Sequence, residues 1–330
     1  MATLGVTMLS LADRLKRENP DHSIAAIVEI LAETNEIMGD AITVEGNLPT
    51  GHRSTVRTGL PAGTWRQLYQ GVVPAKSTTA QVDDTTGMLE AYSEVDKSLA
   101  DLNGNSSEFR LSEAMAFLEG MNQDFANAFF YGDTAATPEK FMGLDKRYST
   151  FSADKTETGY NIIKHGGSGG DNTSVWFVTW GEQQLHLIYP KGSMMGLSHQ
   201  DLGEQTLGDS TTGYYQGYRD HFKWDVGLVL RDWRGTARLA NIDVSIIKDG
   251  TGLTLLIDNM IDCYYKVRKR PGRKVIYCNE TIMAALHKGA KAESNVQLSL
   301  SEFEGRPVVN FLGIPIRECE AITEVEPTVP

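Results

Sequence analysis

The stretch SSEFRLSEAMAFLEGMNQDFANAFFYGD places the strongest constraint on the fold of this chain. Leu111, Ala114, Met115, Leu118, Met121, Phe125, Ala128 and Phe129 recur at helical spacing, which predicts one helix over about residues 106–132 with a continuous apolar face. At roughly 1.5 Å per residue such a helix is about 37 Å long, and Gly132 stops it. A face of that length needs a sheet or another long helix beside it.

The segments around it differ in period. In the first fifty residues, SIAAIVEILAETN places Ile24, Ile27, Val28 and Leu31 at i, i+3, i+4, i+7 with Asp21 or Ser23 as N-cap, and LSLADRLKREN is a shorter helix stopped at Pro20. Neither is stable alone at that length, so they read as a detached helical arm. From His52 to Glu94 the helical period disappears, and strand-like pieces such as RQLYQGVV and TTAQV sit among Gly, Pro, Thr and Ser. Few of these pieces alternate cleanly. GLPAGTWRQLYQGVVPAKSTTAQVDDTTG cannot form a core of its own and is expected to be a projecting hairpin that needs a partner surface.

Residues 160–247 read mainly as strands, including NIIKH, TSVWFVTWG, QLHLIYP, TGYYQGYRDHFKW, VGLVLRDW and RLANIDVSII, with turns at GGSGGDN and KGSMMG. After DGTG the order is helix (LTLLIDNMIDCYYKVRK), strand (GRKVIYCN), helix (ETIMAALHKGAKAE, N-capped by Asn279), then two strands in GRPVVNFLGIPIRECEAI bent at Gly313. With 330 residues this predicts an α+β protein of about two structural units.

Several chemistries are disfavoured. Cys263, Cys278 and Cys319 are odd in number and widely spaced, which speaks against a disulfide framework or a zinc knuckle and for buried thiols. A net charge of −12 opposes nonspecific binding to nucleic acid. The one basic run, KVRKRPGRK, falls where a helix ends and a strand begins, as expected of a solvated helix C-terminus. Gly166, Ser168 and Gly170 match GxSxG, but a strand follows where a nucleophile elbow needs a helix. HGGSGGD and PKGSMMG lack the spacing of a phosphate loop, and His199 with Asp201, the nearest metal-like pair, lacks a third ligand. Trp176, Trp180, Trp224 and Trp233 lie in strand-like segments without the basic interleaving of a base-stacking platform. No run is long enough for a membrane helix, and the N-terminal charges follow a short apolar patch, the reverse of a signal peptide.

The order of arm, projecting hairpin, long helix, strand-rich body and terminal α/β unit resembles the Hong Kong 97-type capsid proteins. ETNEIMGDAITVEGN, TVRTGLPAGTWRQLYQGV, SEVDKSLADLNG, FFYGD, VTWGEQQLHLIYPKGSMMGL, LRDWRGTARLANI and FLGIPIREC are similar to stretches of the major capsid proteins of tailed bacteriophages, particularly short-tailed ones, over about residues 30–322. The resemblance implies an N-terminal arm (1–50), an extended loop or E-loop (51–95), a P-domain (96–248) carrying the long spine helix, and an A-domain (249–330) whose last strands could instead return to the P-domain. It further implies self-assembly as hexamers and pentamers into an icosahedral head enclosing double-stranded DNA without sequence-specific binding. Portal, scaffolding and cement proteins are the implied partners, in a virion capsid assembled in the host bacterial cytoplasm, with no cofactor and no enzymatic activity.

Under that resemblance the E-loop lies over the P-domain of the next subunit, and Arg53, Arg57, Trp65, Arg66, Tyr69, Lys76, Asp83 and Asp84 are the candidate contacts between subunits. Arg53, Arg57 and Arg66 are expected to pair with a neighbour's carboxylates. Lys76 is placed as a cross-linking lysine would be, but no asparagine can be matched to it. Some relatives begin with a scaffolding segment removed by proteolysis, and none is expected here, because arm-like sequence starts within the first ten residues. The competing expectations are an encapsulin-like compartment shell, a serine hydrolase using Ser168, and a nucleic-acid-binding module.

Overall fold

A computed structural model of the chain describes Leu9, Arg14 and residues 33–209, 213–290, 298–303 and 306–330. The expected arm helices over 9–19 and 23–35 lie almost wholly outside the described residues. Three long helices, α1 (Ser106–Tyr131), α2 (Leu253–Val267) and α3 (Glu280–Ala290), pack on a connected set of strands. These are β1 (Thr43–Glu45), β2 (Gly51–Gly59), β3 (Thr78–Asp96), β4 (Ile162–Lys164), β5 (Asn172–Trp180), β6 (Leu185–Tyr189), β7 (Leu197–Asp209), β8 (Gly213–Leu230), β9 (Ala237–Asp243), β10 (Arg273–Cys278), β11 (Leu298–Phe303), β12 (Arg306–Phe311) and β13 (Ile314–Glu318).

β5 is the axis of the body. It pairs antiparallel with β9 and with β10, and β10 is extended by parallel β13. Successive side chains of a strand point to opposite faces. Trp176, Val178 and Trp180 of β5, with Val275 and Tyr277 of β10, therefore meet Phe125, Phe129 and Phe130 of α1. Val175 and Phe177, with Ile276 and Cys278, meet Leu256, Met260 and Cys263 of α2 and Ile282 and Leu286 of α3 on the other face. Because both faces are covered, all nine positions of NTSVWFVTW are buried. The sheet also runs through the expected boundary at 248/249, since β10 lies register to register along β5.

A second wing is built on β8, which pairs with β3 from Thr86↔Gly227 to Asp96↔Gly217 and carries β6 and β7 on its other side. Its inner face puts Leu89, Ala91, Phe222, Trp224 and Val226 against α1. Its outer face is polar: Glu90 pairs with Lys223 at 3.2 Å, Glu94 with Arg219 at 3.0 Å, and Tyr92 stacks on His221 at 4.4 Å. GYYQGYRDHFKW and VGLVL are one continuous strand here. LSHQDLGEQTLGD, too polar to stand out in the sequence, becomes β7 because β8 offers it an edge. VSIIK, expected as strand, is a short helix capped by the Asp243 carboxylate, which accepts from the Ser245 and Ile246 amides.

Local signals placed other elements where expected. Asn279 caps α3 by accepting from the Ile282 amide at 3.1 Å. β12 and β13 are joined by Leu312 (φ 48°) and Gly313 (φ 80°), the paired left-handed conformation of a two-residue hairpin.

The apolar face of α1 is covered by its own chain only in part. Met121, Phe125, Ala128 and Phe129 are buried, and Ala114 packs at the margin. Leu111 and Met115, however, are 63% and 64% exposed, and Leu118 is exposed beside them. Among the described residues this first half of the helix is packed mainly through Phe117 and Phe109, and at ~100° per residue the exposed stripe lies about 100–160° around the helix from Phe117.

The C-terminal residues close the body. Buried Arg238 of β9 lies 2.6 Å from Asp145 and 2.9 Å from Glu326, and its guanidinium sits over the Trp176 ring. Glu326 also accepts from the Tyr131 hydroxyl at the end of α1, and Asn241 exchanges two hydrogen bonds with the Val329 backbone. The tail thus ties α1, β5 and β9 together.

Candidate functional site

Among the described residues, the part least used by the chain's own fold is the ribbon of β2 and β3. The two strands pair antiparallel from Gly51↔Thr85 to Gly59↔Thr78, with an irregularity between Arg57 and Gly59. β3 is long enough to do two jobs: Thr78–Thr85 completes the ribbon, and Thr86–Asp96 is laid into the body beside β8. Only the first part of the expected 51–95 loop therefore projects.

Every residue from 60 to 83 is exposed. Trp65 and Tyr69, at 101% and 103%, are as open to solvent as in an isolated peptide. The Gln70 amide donates to the Gln67 carbonyl at 3.2 Å to close a turn, and Tyr69 occupies it with φ 65°, a left-handed conformation that a residue with a Cβ adopts at a cost. Arg66 reaches the Gln70 carbonyl from inside the same turn, and Arg57 and Lys76 lie on the exposed stretch. Between residues 54 and 82 there are three cations and no acid, in a chain of net charge −12.

At the root of the ribbon three of the expected contact residues, Arg53, Asp83 and Asp84, have partners within their own chain. Arg53 donates to both oxygens of Asp83 at 2.6 and 2.7 Å, an exposed pair that lowers the Asp83 carboxyl and raises the guanidinium. Asp84 is buried against Arg147 at 2.8 Å. These three charges are thus engaged within the chain, and the reason is register: the pairing that sets Gly51 opposite Thr85 sets Arg53 opposite Asp83. Arg57, Trp65, Arg66, Tyr69 and Lys76 remain together on the projecting surface. The exposed Leu111, Met115 and Leu118 stripe was not among the candidates, since helical period alone marked it as core.

The other candidate chemistries dissolve into the packing. Ser168 is exposed in the loop between β4 and β5, so two strands flank it and no elbow forms. Asp201 pairs with Arg110 at 2.6 Å, and His199 lies 3.0 Å from Asp220, which Arg110 also holds. Much of the basic run is engaged within the chain: Lys266 donates to the Tyr160 carbonyl, Arg268 lies over Tyr265, Arg270 faces Asp232 and Arg273 pairs with Asp40. Burial pushes the Cys263, Cys278 and Cys319 thiols up, the last to about 12, so all three are inert as nucleophiles.

A solved structure of bacteriophage Epsilon15 matches with 39% identity over 100% of this chain and 99% of its own, at a TM-score of 0.79. A capsid chain of bacteriophage JBD30 shares the fold at 8% identity, covering 89% of this chain and 92% of its own with a TM-score of 0.52. Among curated proteins none matches. A spine helix packed on a mixed sheet, with a strand ribbon left projecting, is thus the α+β Hong Kong 97-like fold of phage shell subunits. The family model of major capsid protein GP7 matches residues 19–330, and the chain belongs to that family. It is a major capsid protein, a building unit of an icosahedral phage head.

Proposed function

We propose that the subunit closes into hexamers and pentamers by laying its ribbon tip over the P-domain of the next copy, where Trp65 and Tyr69 meet the uncovered Leu111, Met115 and Leu118 stripe of α1. The observation that carries this is the tip itself: two fully exposed aromatics and three cations with no acid among them in the sequence, left uncovered by the described residues. The receiving helix has the complementary sign, since Glu108 and Glu119 flank the stripe while Arg110 is engaged by Asp201 and Asp220. A head-to-tail contact of this kind repeats around a ring. Charges across it set register and encounter more than affinity.

In this proposal residues 1–50 are the arm, 51–95 the E-loop, 96–248 the P-domain and 249–330 the A-domain. The shell encloses double-stranded DNA, held loosely because a subunit of net charge −12 has few cations to spare for phosphates. It works with portal, scaffolding and cement proteins, assembles in the host cytoplasm and performs no catalysis. Replacing residues 61–76 with a short turn should leave a folded subunit that forms no shells by electron microscopy. Normal shells from that variant would sink the assignment of the tip.

A further inference from the structure

Five ionisable side chains from five separate segments converge where the ribbon meets the body: His52 of β2, Asp84 of β3, Arg147 of the short helix Leu144–Arg147, His186 of β6 and Arg231 just beyond β8. All but the two arginines are fully buried, and the Arg147 side chain is nearly so. Arg231 donates to His52 Nε2 at 2.8 Å, which requires that nitrogen to be unprotonated. His52 and His186 meet edge to face with ring centroids 5.9 Å apart. His52 Nδ1 has no hydrogen-bond partner, and of the His186 ring nitrogens one faces the Gly181 backbone without close contact and the other has no hydrogen-bond partner. An apolar side chain would fill the His186 site without leaving a buried ring nitrogen unsatisfied, so what the imidazole adds there is its ability to take a proton.

We propose that this cluster is a proton-operated latch for the ribbon: with both imidazoles neutral the root of β2 is held on β6 and Arg231, and a proton on either ring sets a second cation against Arg231 and releases it. Burial, with Arg231 next to it, keeps His52 below the ordinary imidazole range against the opposing charge of Asp84, whose carboxylate Arg147 also holds. Burial, Arg231 and His52 bring His186 down to about 4. The sign follows from linkage. A histidine held below its unfolded value leaves stability undiminished above about pH 6.5, and costs the closed form progressively as pH falls from there toward the folded value. Release is therefore expected in mild acid, and it concerns the root alone, since no other buried histidine pair lies on the ribbon among the described residues.

The latch rests on the ribbon reading only for its effect on assembly, so the test uses the unassembled subunit. Hydrogen exchange, corrected for its intrinsic pH dependence, is compared at about pH 7.5 and about pH 5. The amides of Gly51–Val56 should lose protection about tenfold or more in acid while those of β5 hold, and His52→Gln with His186→Phe should abolish the difference. Should the double variant fail to fold, His52→Gln alone must at least halve the response. Unchanged protection at the root, equal loss in β5, or a response that survives the variants each overturns the latch. None of these outcomes depends on where the tip docks.

Discussion

GTWRQLYQGVV at the ribbon tip and NTSVWFVTW in β5 draw on the same residue types, tryptophan, valine and threonine among them, and meet opposite fates. In β5 every residue is buried between α1 on one face and α2 and α3 on the other. At the tip every residue is exposed. The comparison teaches that burial is a property of the neighbours a segment finds. β5 finds them inside one chain, whereas the tip is shaped for neighbours in another.

The sharpest way to break the comparison is to damage the body. Phe129→Ala removes a buried ring that touches Phe125, Phe130, Trp180 and Tyr277, and should cost about 3–5 kcal/mol of subunit stability in denaturant titration. Glu326→Ala comes next, at about 3 kcal/mol, because buried Arg238 keeps Asp145 but loses its second carboxylate and the tail loses its anchor. If that variant unfolds no more easily than the parent, the tail does not close the body.

The same substitutions directed at the uncovered surfaces should behave in the reverse manner. Leu111→Ser with Met115→Ser should move subunit stability by no more than about 0.5 kcal/mol while shell yield falls steeply, because both side chains are largely exposed in the subunit. A large drop in melting temperature would return the stripe to the subunit core. Tyr69→Gly relaxes a left-handed turn and deletes the ring, so the subunit should be unchanged or slightly more stable while assembly declines. Tyr69→Phe, which keeps the ring, should assemble normally. The smallest effect belongs to Arg53→Ala: its bond to Asp83 is solvent-exposed and screened, so the melting temperature should stay within error at any salt concentration.

The residue order alone determined what is local. Period marked α1, α2 and α3, Asn279 marked a helix start, and Gly313 marked a hairpin, because each depends on the geometry of a few consecutive residues. The lack of clean alternation over 52–94 marked that segment as having no core of its own. Tertiary structure decided everything that depends on a distant partner. It laid the polar LSHQDLGEQTLGD beside β8 as a strand, joined residues 273–278 to β5 across an expected boundary, and matched Arg53 to Asp83 and Asp84 to Arg147. It also divided the apolar face of α1 into a covered and an uncovered half, which periodicity cannot do. An apolar stripe records that a helix has a partner, but whether that partner belongs to the same chain is settled only by where the rest of the chain goes.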